Sequence, residues 1–199
     1  LAPHEQKLVF AQVVENETAA NVLTQLDASD VQLLAAEIDF DRLVLLMNAM
    51  EVDDEADLIQ LLPEDIRDRI LASIQQTDKE TVEELLTYPE DSAGGIMQPL
   101  VFVTHEDTSC RDAINQLHES AGDLEMIFYL YVENEGGQLV GVTSLRALLT
   151  HPPSTPLNEF MTTEVITVGP ETDQEDVARI VSRYDMLAVP VVDEGRRLL

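Results

Sequence analysis

Ile96-Met97-Gln98-Pro99, Val101-Phe102-Val103-Thr104 and Glu106-Asp107-Thr108 form a stretch that the chain writes twice. The second copy reads Phe160-Met161-Thr162-Thr163, Val165-Ile166-Thr167-Val168 and Pro170-Glu171-Thr172, at an offset of 64 residues (161 − 97). A helical pattern follows each final threonine, over 110–119 and 174–184, and an apolar strand follows each helix, over 127–132 and 187–192. Self-similarity of this length predicts two copies of one α/β unit packed on each other. Paired units of this kind point to ligand sensing rather than turnover.

Upstream of the repeat the periodicity changes. Leu26-Asp27, Ile38-Asp39, Met50-Glu51 and Leu62-Pro63 each close an apolar stretch and open a turn, one every twelve residues. Between them Val31, Leu33, Leu34 and Ile38, then Leu43, Leu46, Met47 and Met50, then Leu58, Leu61 and Leu62 follow helical spacing. Ser29 or Asp30, Asp39 or Asp41, and Asp53 are the expected N-caps, and Pro63 suits the start of the next helix. Acids in the first turns suit the positive end of each helix dipole. A last helix is expected from about 78 to 86. Such short helices cannot bury their apolar stripes alone, so they are expected to stack into an all-α superhelix.

The chain of 199 residues carries 39 acidic and 11 basic residues, a net charge of −28. Residues 1–95 hold 22 acids and 5 bases, and 96–199 hold 17 and 6, so the acidity is spread over both halves. Such a charge disfavours nucleic acid and anionic lipid and favours cations. It also fits solubility or a saline habitat. An apolar fraction of 45% is enough for packed cores. Cys110 is the only cysteine, which excludes an intrachain disulfide and a cysteine-rich zinc site and fits a reducing compartment. Apolar runs such as 43–47 fall far short of the roughly 20 residues that span a bilayer. No basic segment precedes an apolar one as in a signal peptide.

The halves meet at Thr87-Tyr88-Pro89-Glu90-Asp91-Ser92-Ala93-Gly94-Gly95-Ile96-Met97. Pro89 ends the helix, and the glycine pair permits positive φ or close backbone approach. An acidic all-α domain, this linker and two cystathionine-β-synthase-type (CBS) repeats together resemble the cytosolic region of the MgtE family of magnesium channels. Thr172-Asp173-Gln174-Glu175-Asp176-Val177-Ala178-Arg179 with Tyr184-Asp185 carries the resemblance further; the Gly141-Val142-Thr143-Ser144-Leu145-Arg146 turn is general to CBS domains. The fold class that follows is α + α/β. A superhelical domain over 1–87 leads through a linker at 88–95 to a first CBS domain at 96–152 and a second, incomplete one at 153–199.

The resemblance implies a regulatory module on the cytoplasmic face of the membrane, below a pore domain that lies outside this sequence. It implies a homodimer formed through the CBS domains and no nucleic-acid partner. Mg2+ binds between the acidic helical domain and the CBS domains and holds the pore closed when Mg2+ is high. By position, Asp173 and Glu175 resemble acidic ligands at the start of the second CBS helix, and Asp185 one at its end. Gly95 resembles a linker position that offers its carbonyl. Asp53 and Asp57, four apart on one helix face, resemble acids that face the CBS side. Asn21 stands where the family tends to be acidic. Structural roles compete with each assignment: Asp173 is a natural N-cap, Glu175 a favourable first-turn acid and Gly95 a turn residue. Glu90 and Asp91 read as diffuse field. Mg2+ suits such a set, because it is a hard ion that keeps several waters and takes one or two carboxylates.

CBS pairs elsewhere bind adenine nucleotides between their copies, which makes ATP a second candidate ligand. Here Ala147 stands where an acid often follows the Gly-x-x-(Ser/Thr) turn, and no P-loop is present. A nucleotide sensor uncoupled from Mg2+ and a purely structural acidic adaptor are the rival readings. An enzyme is not expected, since His4, His105, His118 and His151 are scattered without a nucleophile–base spacing.

Overall fold

The computed structural model describes residues 9–74, 76–120 and 127–199, with 76–78 described as backbone only. His4 lies outside the described residues. The chain divides into two compact units, Leu1–Thr87 and Tyr88–Leu199.

In the first unit the twelve-residue period sets the helix starts. Helices α1 (Asn16–Thr24), α2 (Ala28–Ala35), α3 (Phe40–Met47), α4 (Val52–Leu61), α5 (Glu64–Leu71) and α6 (Gln76–Leu85) follow in order. Asp27, Asp39, Glu51 and Pro63 are the N-caps of α2 to α5, each in extended conformation with ψ between 140 and 155°. The carbonyl of each accepts the amide four residues on, at 2.9–3.0 Å. The caps thus fall earlier than expected at two helices: Asp27 replaces Ser29 or Asp30, and Glu51 replaces Asp53. No cap side chain bonds the helix, so an oxygen side chain is not what selects the position. The apolar residue just before each cap ends the preceding stripe, and the turn is placed by packing. α1 packs on α3, α2 on α4 and α4 on both α5 and α6, so α4 is the hub of the stack. Leu23, Leu43, Leu46, Met47, Ile59 and Ile70 fill the interior. Leu33, expected on the apolar face of α2, is 45% exposed, and Val31, Leu34 and Ala35 carry that face.

In the second unit β1 (Val103–His105) leads through α7 (Cys110–Ser120) to β2 (Leu130–Glu133), β3 (Leu139–Thr143) and α8 (Leu145–Thr150). The sheet order is β1-β2-β3. β1 runs parallel to β2, with Val103 opposite Tyr131; β2 runs antiparallel to β3, with Leu130 opposite Thr143 and a bulge at Val132/Glu133. Alternation along β2 divides its side chains between two cores. Leu130 and Val132 join Phe102, Cys110, Ala113, Leu117, Leu148 and Leu157 under α7 and α8. Tyr131 points the other way, to Leu139 and Val192, where the two repeats meet.

The second repeat reproduces this layout in reduced form. Its helix α9 (Gln174–Tyr184) matches the expected range, but the strand expected over 187–192 is only a pair of bridges. Val168 pairs in parallel with Val191, and Val192 pairs antiparallel with Leu198. Likewise β2 begins at Leu130, three residues later than the apolar run that starts at Ile127. No residue of α9 is buried, whereas its counterpart α7 buries Cys110, Ala113 and Leu117 beneath α8.

Candidate functional site

The junction is a laced joint rather than a free linker. Ala93 and Gly94 donate their amides to the carbonyls of Thr172 (2.7 Å) and Pro170 (2.8 Å), and Gln174 donates its own to the Asp91 carbonyl (2.8 Å). Ser92 and Asp173 form the antiparallel bridge at the centre. Ser92 is 3% exposed; its hydroxyl donates to the Pro89 carbonyl (2.8 Å) and accepts from the Gly95 amide (3.2 Å). This folds 89–95 into a tight turn. A Cβ on Gly95 would lie 2.1 Å from the Pro89 carbonyl oxygen, and one on Gly94 would lie 2.6 Å from the Tyr88 ring. Close approach, not positive φ, is therefore what requires the glycine pair.

The joint sits at the first turn of α9, with Asp173 and Glu175 on its helix side and Gly95 closing the linker turn through Ser92. Asp173 is the N-cap of α9, its Oδ1 accepting the Glu175 amide at 2.8 Å. The Glu175 carboxylate is 77% exposed and receives the Arg179 guanidinium at 3.1 Å. Asp185 lies twelve residues from Asp173, about 18 Å along the helix, so the two cannot share one ion within this unit. It is the exposed C-cap of α9, in left-handed conformation (φ 52°, ψ 44°). Asp is among the few non-glycine residues that tolerate that region. Asp53 and Asp57 lie on α4 in the other unit, Asp53 half-buried and Asp57 exposed, and both already take part in interactions within the protein.

Two features escaped the sequence reading. Glu55 is 2% exposed on α4, on the same stripe as Val52, Ala56 and Ile59. Its i, i+3, i+4, i+7 spacing was the available signal. The Glu175–Arg179 pair has the i, i+4 order that favours helical ion pairs.

The oxygen donors suit a hard divalent ion. Among the described residues no three of His, Cys, Asp and Glu converge as a metal cage. What each unit offers is carboxylates singly or in pairs, beside backbone carbonyls at the joint. That donor set fits an ion that keeps most of its water, as Mg2+ does, and does not fit a dehydrated, fully protein-ligated one.

The second unit also has a cavity of about 220 Å3 between its repeats, lined by Met97, Phe128, Tyr129, Val177, Val189 and Leu198 among others. Burial pushes the Tyr131 phenol beside it up to about 12. His151 stacks on Phe160 at 4.0 Å and His105 lies on β1, so neither meets a ligand-spaced partner among the described residues.

An acidic helical superhelix followed in the chain by a paired β-α-β-β-α unit defines a CBS-domain module with a helical partner domain. The family model for the CBS domain matches residues 93–154 and 157–199, and that for the MgtE intracellular N domain matches 1–91. The chain belongs to the MgtE family of magnesium transporters. It is 33% identical over 211 residues to the magnesium transporter MgtE of Bacillus subtilis, covering 100% of this chain and 47% of that protein. It is 33% identical over 198 residues to the MgtE of Thermus thermophilus, covering 98% and 44%. The chain thus spans just under half the length of those relatives. Among solved structures it is similar to the cytosolic domain of the Mg2+ channel MgtE in complex with ATP (TM-score 0.92, 34% identity, 100% of this chain and 81% of that one). It is also similar to the soluble part of a magnesium transporter (TM-score 0.87, 27% identity, 100% and 83%). Among the described residues no helix is long and apolar enough to cross a membrane.

Proposed function

We propose that this chain is the cytosolic regulatory region of a magnesium channel or transporter and that it senses intracellular Mg2+. Mg2+ binds between the acidic helical domain and the CBS domains, with Asp173, Glu175, Asp185, Asp53 and Asp57 supplying carboxylates and Gly95 its carbonyl. High Mg2+ draws the two acidic bodies together and closes the pore; removing it leaves like charges to push them apart. The domains run 1–87, 96–152 and 153–199, with the linker at 88–95. The module works as a homodimer joined through its CBS domains, attached to a membrane pore domain at the cytoplasmic face, and it acts by binding rather than catalysis.

The observation that carries this reading is the laced joint. The linker bearing Gly95 is hydrogen-bonded to the turn bearing Asp173 and Glu175. An ion held there sits on the segment that follows the helical unit in the chain. The test is small-angle X-ray scattering across a MgCl2 titration at constant ionic strength. Saturable compaction with Mg2+, absent with NaCl, is expected; an unchanged radius of gyration at all Mg2+ concentrations would sink the reading.

ATP is a second ligand favoured by a specific observation, the apolar and aromatic cavity between the repeats, together with the ATP complex of the 34%-identical relative. Stacking on Tyr129 or Phe128 suits an adenine ring. Ala147 supplies no carboxylate for a ribose. A thermal shift with ATP but none with MgCl2 would make the nucleotide the primary signal.

A further inference from the structure

Arg179 is already engaged with one of the candidate ligands. Its Nη2 lies 3.1 Å from Glu175 Oε2, and its Nη1 donates to Asp176 Oδ1. The guanidinium therefore forks across two adjacent carboxylates of the first turn of α9, all three side chains being more than half exposed.

We propose that Arg179 is a tethered counter-ion that competes with the divalent cation for Glu175, and so sets the concentration at which the site at the start of α9 fills. This rests on the reading of Asp173 and Glu175 as cation ligands. An exposed ion pair of this kind is weak, so it delays filling without preventing it. The fork makes the exchange cheap. When Glu175 swings to the ion, Arg179 keeps Asp176 three residues before it, and no guanidinium is left without a partner. Asp173 does not take part in the exchange, because its Oδ1 is held by the Glu175 amide. One ligand is thus fixed by the cap and the other moves. Arg183, one turn further on, is directed over the Tyr184 ring at 5.6 Å and provides a control of equal charge.

The experiment follows backbone amide resonances of 173–176 by NMR through a MgCl2 titration at constant ionic strength. It uses the parent chain, Arg179→Gln, Arg179→Lys and Arg183→Gln, with circular dichroism to verify that α9 persists. The titration midpoint is expected to fall about two- to fivefold in Arg179→Gln, the range set by exposed ion pairs. It should fall less in Arg183→Gln and return toward the parent in Arg179→Lys, whose single ammonium cannot fork. Equal shifts in the two glutamine variants, or none in Arg179→Gln, would overturn the competition while leaving the cation site standing. A parent whose 173–176 amides ignore MgCl2 would overturn both.

Discussion

Tyr131 shows how much one side chain reveals about the packing of the repeats. It is 5% exposed, and burial, reinforced by Tyr129, pushes its phenol up to about 12. In the unfolded chain the phenol titrates near 10. The folded state therefore holds its proton more tightly, and the associated stability is intact below pH 10 and lost as pH rises toward 12. Stability should fall by about 2–3 kcal/mol across that window, as read by chemical denaturation at stepped pH. Tyr131→Phe should flatten the fall, and an unchanged slope in that variant would place the titrating group elsewhere. The sequence located Tyr131 in an apolar run but not its orientation. Which face of a strand looks into which core depends on register, and register is set by the partner strand. At Gly95 the residue type was legible, while the choice between positive φ and close approach rested on a contact with Pro89 that only folding reveals.

At the scale of elements, α9 separates structural from ligand roles for its acids. Asp173 caps the helix through its carboxylate, and Asn caps about as well as Asp. Asp173→Ala is expected to cost about 1 kcal/mol of stability, while Asp173→Asn costs a few tenths and removes the charge. If both variants melt together, the cap contributes nothing, and thermal denaturation checks this directly. Helices were the most legible elements: α9 falls at Gln174–Tyr184 as its pattern indicates, and the twelve-residue period placed the turns of the first unit. The caps sit earlier than the side-chain chemistry of Asp30 and Asp53 predicts, because Asp27 and Glu51 cap through backbone geometry alone. The strand over 187–192 thinned to bridges because apolar composition gives no information about how many neighbours a strand will pair with.

For the molecule as a whole, the charge of −28 spread over both units is the reservoir that a divalent ion would relieve. Asp173→Asn, Glu175→Gln and Asp185→Asn combined should raise the Mg2+ concentration of half-compaction about tenfold, or ~1.4 kcal/mol. Asn at 185 retains tolerance of φ 52°, which Ala would not, so the triple variant tests charge rather than strain. Half-compaction at the parent concentration would show that these residues are not the sensor. The two-domain order was legible because repeats and periods are written in the chain. The joint was not, because its bonds tie residues far apart in sequence: Ala93 and Thr172 are 79 positions apart (172 − 93). That separation has a further effect. Tying the two positions turns the whole first repeat into a closed ring of chain, and the entropy of forming such a ring is lost once, on folding. Opening the ring at either seam gives that entropy back to the first repeat and the start of the second alike. A single calorimetric transition for residues 88–199 is the outcome expected of such a tie.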